Sequence, residues 1–257
     1  MVRIAHTVAL APVPRPWLVD ALGALTDLAE STTARDGRVL LPDGRQIPEL
    51  RPAEGRHLRP GAVYESTEGA GARKGAETVR ITVEEWRRTR ALRLAFTGSG
   101  PDGDLIGRAA LLSPDRPDHV ELSVRAVLTG VRSPLSRFDA DAELRCAHWW
   151  KAAARGGSAR RPPLRARLTC GVARAEVAAA PRPGRDRGDR EVAVTVRLRG
   201  RGPLRPLVSL GLRLARRPLA RAVTEALDDA ARDWNARVPQ LTALGPEELC
   251  GKLLTER

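Results

Sequence analysis

An α+β fold is predicted for this chain: an antiparallel sheet, wet on one face, whose dry face packs against a long helix near the C-terminus. Three observations predict it. From residue 77 onward apolar residues recur with a period of two: Val79, Ile81 and Val83 in 77–84, and Leu92, Leu94 and Phe96 in 90–97. In 119–128, Val120, Leu122, Val124, Ala126 and Leu128 stand opposite His119, Glu121, Ser123 and Arg125. Strands at 164–172 and 191–199, the latter with Val192, Val194, Val196 and Leu198, repeat the pattern, and such alternation marks antiparallel sheet with one solvated face. Second, the period becomes helical after residue 204, where Leu219, Val223, Leu227, Ala230 and Trp234 form one stripe, with Arg221–Glu225 and Asp228–Arg232 spaced to pair. Third, a one-faced sheet and a one-faced helix must bury their stripes against each other.

The remaining elements follow in chain order. Residues 2–11 alternate loosely and read as a first strand. Pro14 and Pro16 lead into "WLVDALGALTDLA", a short amphipathic helix interrupted by Gly23. In "RVLLPDGRQI", two apolar pieces flank the turn signal Pro42-Asp43-Gly44 and read as a small hairpin. The Pro-rich stretch to Pro60 reads as loop. Residues 131–163 break the alternation: a helix through "AELRCAHWWKAAA", capped by Ser136 or Asp139, and a basic linker "RGGSARRPP" read as an insertion between strands. Residues 181–189 read as a hairpin tip. Arg-Gly-Arg-Gly at 199–202 reads as the connection where the last strand turns back onto its sheet, since Gly200, Gly202 and Pro203 suit a reversal. The whole is read as a single domain over 1–238 with a tail at 239–257.

Composition bounds the partners. With 257 residues and 42 % hydrophobic content the chain can bury a core, and no charge-free stretch reaches the roughly 20 residues of a membrane span. Three cysteines leave one unpaired in any scheme, which suits a reducing compartment and a cytoplasmic protein. Of 44 basic residues only Lys74, Lys151 and Lys252 are lysines, a skew that GC-rich coding produces, so total arginine says little. Position says more: residues 151–221 hold 19 basic residues against four acids, a net +15 that leaves −2 for the rest of the chain. Such a regional excess is either a solvated face or a contact with an anionic partner.

Motifs that carry chemistry are few. "GSGPDG" (98–103) satisfies G-x-G-x-x-G literally but precedes strand-like "DLIGRAALL", so it reads as a β-turn and not a dinucleotide site. "GAGARKGAET" (69–78) lacks the Gly-Lys-Ser/Thr of a phosphate loop and reads as loop. Cys146 and His148, two apart on a presumed helix, point apart, so neither a metal nor another cofactor is expected. Trp149 and Trp150 beside them read as anchors of that helix. The acid–base candidates on strands are Tyr64, Arg90, His119 and Glu121; the last two share a face opposite Val120 and Leu122, which places them in solvent if the apolar side lines a cavity.

The order of elements in "EVAVTVRLRGRGPLRPLVSLGLRLARRPLARAVTEALDDAARDWN" (191–235), with "LRPGAVYE" (58–65) and "ITVEEWRRTRALRLAF" (81–96), resembles the START-like, or SRPBCC, helix-grip superfamily. The resemblance is one of pattern over about two thirds of the chain. It implies a curved antiparallel sheet gripping the C-terminal helix around an elongated apolar cavity. It also implies a hydrophobic ligand, lipid or polyketide-like, and in some members polyketide cyclase or dehydratase chemistry. The cavity walls would then be Val79, Ile81, Val83, Leu92, Leu94 and Phe96, with Leu122, Val124, Val194 and Val196 from later strands and Val223, Leu227 and Trp234 from the helix. The alternative is a basic module binding nucleic acid or an anionic membrane through 151–221. Ligand identity, catalysis and oligomeric state are not legible in the residues.

Overall fold

An eleven-stranded antiparallel sheet, with three helices packed on its apolar face at one end, dominates the chain. The computed structural model describes residues 1–47, 50–68, 77–101, 103–130, 136–155, 161–182 and 190–255. Strand β1 (Val2–Leu10) and helix α1 (Arg15–Ser31) are followed by a two-stranded hairpin, β2 (Thr33–Arg35) and β3 (Arg38–Leu40). An up-and-down meander then runs through β4 (Leu50–Glu54), β5 (Val63–Glu68), β6 (Glu77–Arg87), β7 (Ala91–Gly100), β8 (Gly103–Leu112), β9 (His119–Leu128), β10 (Arg137–Arg145), β11 (Leu164–Cys170), β12 (Ala173–Arg182) and β13 (Arg190–Gly200). Helix α2 (Cys146–Arg155) links β10 to β11, and α3 (Arg205–Leu214), α4 (Arg216–Thr242) and α5 (Pro246–Thr255) end the chain. Strand β1 adds beside β13, leaving β1 and β4 as free edges, so the sheet is open.

The register carries the alternation unbroken across the sheet. One row runs Val83, Leu94, Ala109, Leu122, Ala142, Ala166, Val177, Val196 and Ile4 from β6 to β1. The next runs Ile81, Phe96, Gly107, Val124, Ala140, Leu168, Ala175, Leu198 and Val2. In these two rows apolar residues meet only apolar residues, while the next row ends with His6 opposite Val194, and the pattern fixes the register because a one-residue slip would turn every side chain to the other side.

Helix α4 lies along β1 and β13, with Leu219, Ala220, Val223, Leu227 and Ala231 turned to the core. It also ties down the end of β1: Trp234 Nε1–H donates to Ala11 O (2.9 Å), Asn235 Nδ2–H to Ala9 O (2.9 Å), and Ala11 N–H to Asn235 Oδ1 (2.7 Å). These bonds occupy backbone groups that would otherwise invite another strand.

Several expectations are corrected. The hairpin turns at Asp36-Gly37, both at positive φ as the tight hairpin turn requires, while Pro42–Gly44 makes a second turn beside the Leu40–Gln46 bridge. Part of the presumed loop before Pro60 is β4, an edge strand in which Pro52 is tolerated because one side of the strand has no partner. Residues 137–145 are strand and not helix, with Phe138, Ala140, Ala142 and Leu144 on the apolar face, and only 146–155 are helical. Partners on both sides there override the helix preference of Ala, Glu and Leu. The C-terminal helix breaks at Ala215 into α3 and α4, Ala231 takes the buried place assigned to Ala230, and Asp228 bonds His6 (2.7 Å) while Arg232 pairs with Asp229. Arg221–Glu225 forms as expected (2.7 Å). The segment read as a tail continues α4 and then forms α5, which packs on α1.

Arg199 and Gly200 end β13, and the chain then bends at Arg201–Leu204 into α3, as the connection read at 199–202 requires. A β-turn likewise joins β7 to β8, with Gly100 opposite Gly103 and Pro101 in the turn. The 69–76 and 183–189 segments lie outside the described residues. Trp149 packs on the core and Trp150 Nε1–H donates to Val13 O (3.3 Å), so both anchor α2.

Candidate functional site

The apolar face of the sheet is covered at its two ends and thinly in its middle. At one end β1, β12 and β13 carry a core of Val2, Ile4, Val8, Val192, Val194 and Val196, closed by α4 with help from Leu212 and Trp149. At the other, Val39 of the small hairpin, Ala62, Tyr64 and Val83 form a second core joined by Ile81, Trp86 and Leu94. Between them lie β8 to β11. Leu122 is 41 % exposed and Leu168 46 %, and Val120 and Leu128 are exposed as well. The floor between them is low: Gly107, Ala109, Ala140, Ala142 and Ala166 occupy the central register positions of both rows. The rings and leucines of neighbouring positions rise on either side.

The residues expected to wall a ligand cavity therefore fall into three groups, with Trp234 apart from all of them. Ile81, Val83 and Leu94 belong to the hairpin-side core, with Val79, Leu92 and Phe96 half-buried beside them on the same face. Val194, Val196, Val223 and Leu227 are packed together in the other core. Leu122 and Val124 lie in the open middle. Trp234, 41 % exposed, caps the edge of β1. Leu168 and Leu128, comparably open, lie on the face that alternation gives them but outside the expected cavity wall, because alternation tells which face a residue takes and not whether a helix covers it.

Phe96 is placed by a glycine. Its ring lies where a Cβ on Gly107 would stand, with Ser123 O 2.9 Å from that same point. Gly107→Val should push the ring outward and strain the sheet, lowering stability by about 1–3 kcal/mol, as overpacking does. A urea-unfolding midpoint measures it, and an unchanged midpoint would mean the ring is not seated there.

The opposite face is polar and carries a broad open trough of about 1230 Å³ over β1 and β10–β13. Arg3, Arg165, Arg167, Arg182 and Arg197 line it together with Asp141, Glu143, Glu176 and Glu191. A second hollow of about 330 Å³ adjoins it, walled by Glu84, Arg93, Arg108 and Glu121. Cross-strand charges mostly answer one another, in Arg125–Asp139 (2.7 Å), Arg108–Glu84 (3.0 Å) and Arg93–Glu85 (3.4 Å), and Arg174 pairs with Glu176 along β12 itself (2.7 Å). Five guanidiniums against four carboxylates make the trough nearly neutral, and opposite charges across strands contribute only tenths of a kcal/mol to about 1 each. Like charges also stand opposite each other, Glu121 with Glu143, Arg174 with Arg199, and Arg3 with Arg197, the last a pair that an anion could bridge. The sheet's aromatic residues Tyr64, Trp86, Phe96 and Phe138 all lie on the other, apolar face, so this basic surface offers bases nothing to stack on.

The acid–base candidates do not converge on the apolar middle. His119 is largely buried on the polar face, its Nε2 3.4 Å from Glu121 Oε1 and 3.7 Å from Glu143 Oε1, near enough for charge pairing yet not aligned for a hydrogen bond. Arg145, bonded to Glu143 (2.5 Å), holds that carboxyl below the usual range. Arg90 is exposed beside Glu85 (3.4 Å). Tyr64 belongs to a buried chain not anticipated from sequence. Leu58 N–H donates to Tyr64 Oη (2.8 Å), Tyr64 O–H to His57 Nδ1 (2.7 Å), His57 Nε2–H to Thr32 Oγ1 (2.9 Å), and Thr32 O–H to Ala29 O (2.6 Å). Because Thr32 gives its proton to Ala29, each later donor is assigned in turn and the imidazole is neutral. Burial lowers the His57 pKa and raises that of Tyr64.

Cys146 is buried and its thiol pushed up by burial, while His148 is exposed. Among the described residues no cluster of three or more His, Cys, Asp or Glu could hold a metal ion, and no helix is long and apolar enough to cross a membrane.

No family model matches the chain and no curated protein matches it. Among solved structures, the di-domain ARO/CYC StfQ from the steffimycin biosynthetic pathway aligns over 97 % of this chain and 96 % of its own, at 12 % identity and a TM-score of 0.19, a likeness too slight to carry an argument.

Proposed function

We propose that this chain binds an apolar small molecule, lipid or polyketide-like, against the uncovered middle of its sheet. One observation carries the reading: four adjacent strands, β8 to β11, present a continuous apolar face that neither core closes, with Leu122 and Leu168 nearly half exposed over a floor of glycine and alanine. Soluble proteins seldom leave a contiguous apolar patch open unless something occupies it. In this reading Leu92, Leu94, Phe96, Leu122 and Val124 touch the ligand. Val79, Ile81 and Val83 back the wall on the hairpin side, and Val194, Val196, Val223 and Leu227 back the other. Trp234 acts on the frame and not on the ligand.

Binding, and not turnover, is what the chemistry of this face supports. A cyclase or dehydratase needs a base near its carbon acid and a donor for the enolate oxygen. Among the described residues of β8–β11, the apolar face offers Cys170 alone as a titratable group, and its thiol donates to Ala173 O (3.5 Å).

Fluorescence titration with cis-parinaric acid and with a polycyclic aromatic probe tests the proposal. Saturable binding of at least one probe is expected. The double substitution Leu122→Asp with Leu168→Asp should weaken it at least about tenfold, equivalent to about 1.4 kcal/mol. Both sites are open enough that the variant should keep its far-UV spectrum. No saturable binding by either probe, or an unaltered affinity in the folded variant, would overturn the reading.

A further inference from the structure

Helix α3 turns its apolar side the wrong way for a core helix. Val208 and Leu212 face inward and are half-buried, Leu212 against the α4-side core. Leu207, Leu210 and Leu214, spaced three and four apart, form a stripe on the outer side at 68 %, 56 % and 79 % exposure, continued by exposed Leu204. The helix is short, carries Pro206 in its first turn and is pinned to β13 by the close approach at Gly200, so the stripe is held outward and cannot roll into the core.

The charge around the stripe has one sign. Arg201, Arg205, Arg213, Arg216 and Arg217 flank it, and no acidic residue occurs between Glu191 and Glu225. None of these five arginines makes an ion pair among the described residues. On the sheet, by contrast, Arg165 stands opposite Glu143, Arg167 opposite Asp141 and Glu176, and Arg197 opposite Glu176. Beside the exposed leucines, then, every charged residue of 192–224 is basic.

Exposed leucines rimmed by unpaired arginines match the physics of an interfacial helix, whose apolar side enters the boundary between headgroups and acyl chains while cations meet anionic lipid. We infer that α3 docks this protein onto anionic membrane surfaces, lying in the interface plane. A water-facing helix would not need the leucines. A partner protein surface would have to supply both an apolar groove and a dense acidic rim. The inference stands apart from the ligand proposal, since the two surfaces share no residue.

Co-sedimentation with vesicles of phosphatidylcholine alone and with 30 % phosphatidylglycerol tests it. Binding is expected to the anionic vesicles, at least tenfold above the neutral ones, and to fall severalfold between low and physiological salt as screening grows. Leu207→Asp with Leu214→Asp should abolish it, and Arg213→Glu with Arg217→Glu should weaken it at least tenfold. The single variant Leu214→Asp, at the most exposed position, serves if the double variant folds poorly. Equal binding to both vesicle types, binding to neither, or variants that bind as well as the parent would overturn the inference. So would a concentration-dependent dimer in analytical ultracentrifugation that Leu214→Asp dissolves while vesicles stay unbound, since the stripe would then be the seat of a second copy. Failure of parinaric-acid binding bears on the sheet alone and leaves this result unaffected.

Discussion

Gly200→Val is expected to cost about 3 kcal/mol or more, among the larger losses a single substitution produces. A Cβ at this position would stand 2.8 Å from Arg205 O and 3.1 Å from both Ser209 Oγ and Val208 Cβ. The nearest of these is backbone, so no rotamer change relieves it. The strand would have to part from α3, and with it from the turn that Gly202 makes at φ 69°. For a chain of this size, the melting temperature should fall by roughly 6–12 °C. Proteolysis should open first at 201–206, because α3 leaves its seat before the meander unfolds. A melting temperature within 2 °C of the parent would show that α3 is not packed at this distance.

Tyr64→Phe is expected to cost about 2–4 kcal/mol, since it leaves both Leu58 N–H and His57 Nδ1 without partners in a part-buried place, at about 1–3 kcal/mol for each unmet group. The chain they belong to ties the end of α1 to the 56–64 segment, where Leu58 holds a positive φ of 52°. It also gives stability a pH dependence of known sign. Burial sets the His57 pKa in the folded state below its ordinary value of 6.5. Between the two values the unfolded chain binds a proton that the native chain does not, so stability is complete above pH 6.5 and is lost as pH falls through the folded value. Protonation places a hydrogen on Nδ1 and breaks the bond from Tyr64. Urea unfolding at pH 7.5, 6.5, 5.5 and 5.0 should show this decline in the parent, and His57→Gln should flatten it. A parent curve that rises on acidification would contradict the neutral-imidazole chain.

The alternation of β6, β7, β9, β11 and β13 reads directly from sequence, because the residues of their dry face are apolar and nearly all meet apolar partners across the register. Strand β10 does not, though Phe138, Ala140, Ala142 and Leu144 keep the period: alanine is a weak strand former, and Ala-Glu-Leu-Arg carries strong helix preference that only the two flanking strands override. The C-terminal helix was legible as helix, but not its break. Leu207, Leu210 and Leu214 lie about half a turn out of phase with Leu219, Val223 and Leu227, a signal present in the sequence whose meaning depends on where β13 ends. The openness at Leu122 and Leu168 had no signal at all, since coverage of a sheet face is decided by where distant helices land. Trp234 shows the same limit: its place on the stripe was visible, while its bond to Ala11 O, 223 residues away, was not.

Photolabelling with a diazirine-bearing fatty acid, followed by mass-spectrometric mapping of adducts, bears most directly on the open apolar middle. Adducts are expected on β8 to β11, at Leu122, Leu144 and Leu168, and to be competed away by unlabelled fatty acid. Adducts confined to the polar trough around Arg3 and Arg197, or to the α4 side of the Val194–Val196 core, would contradict it.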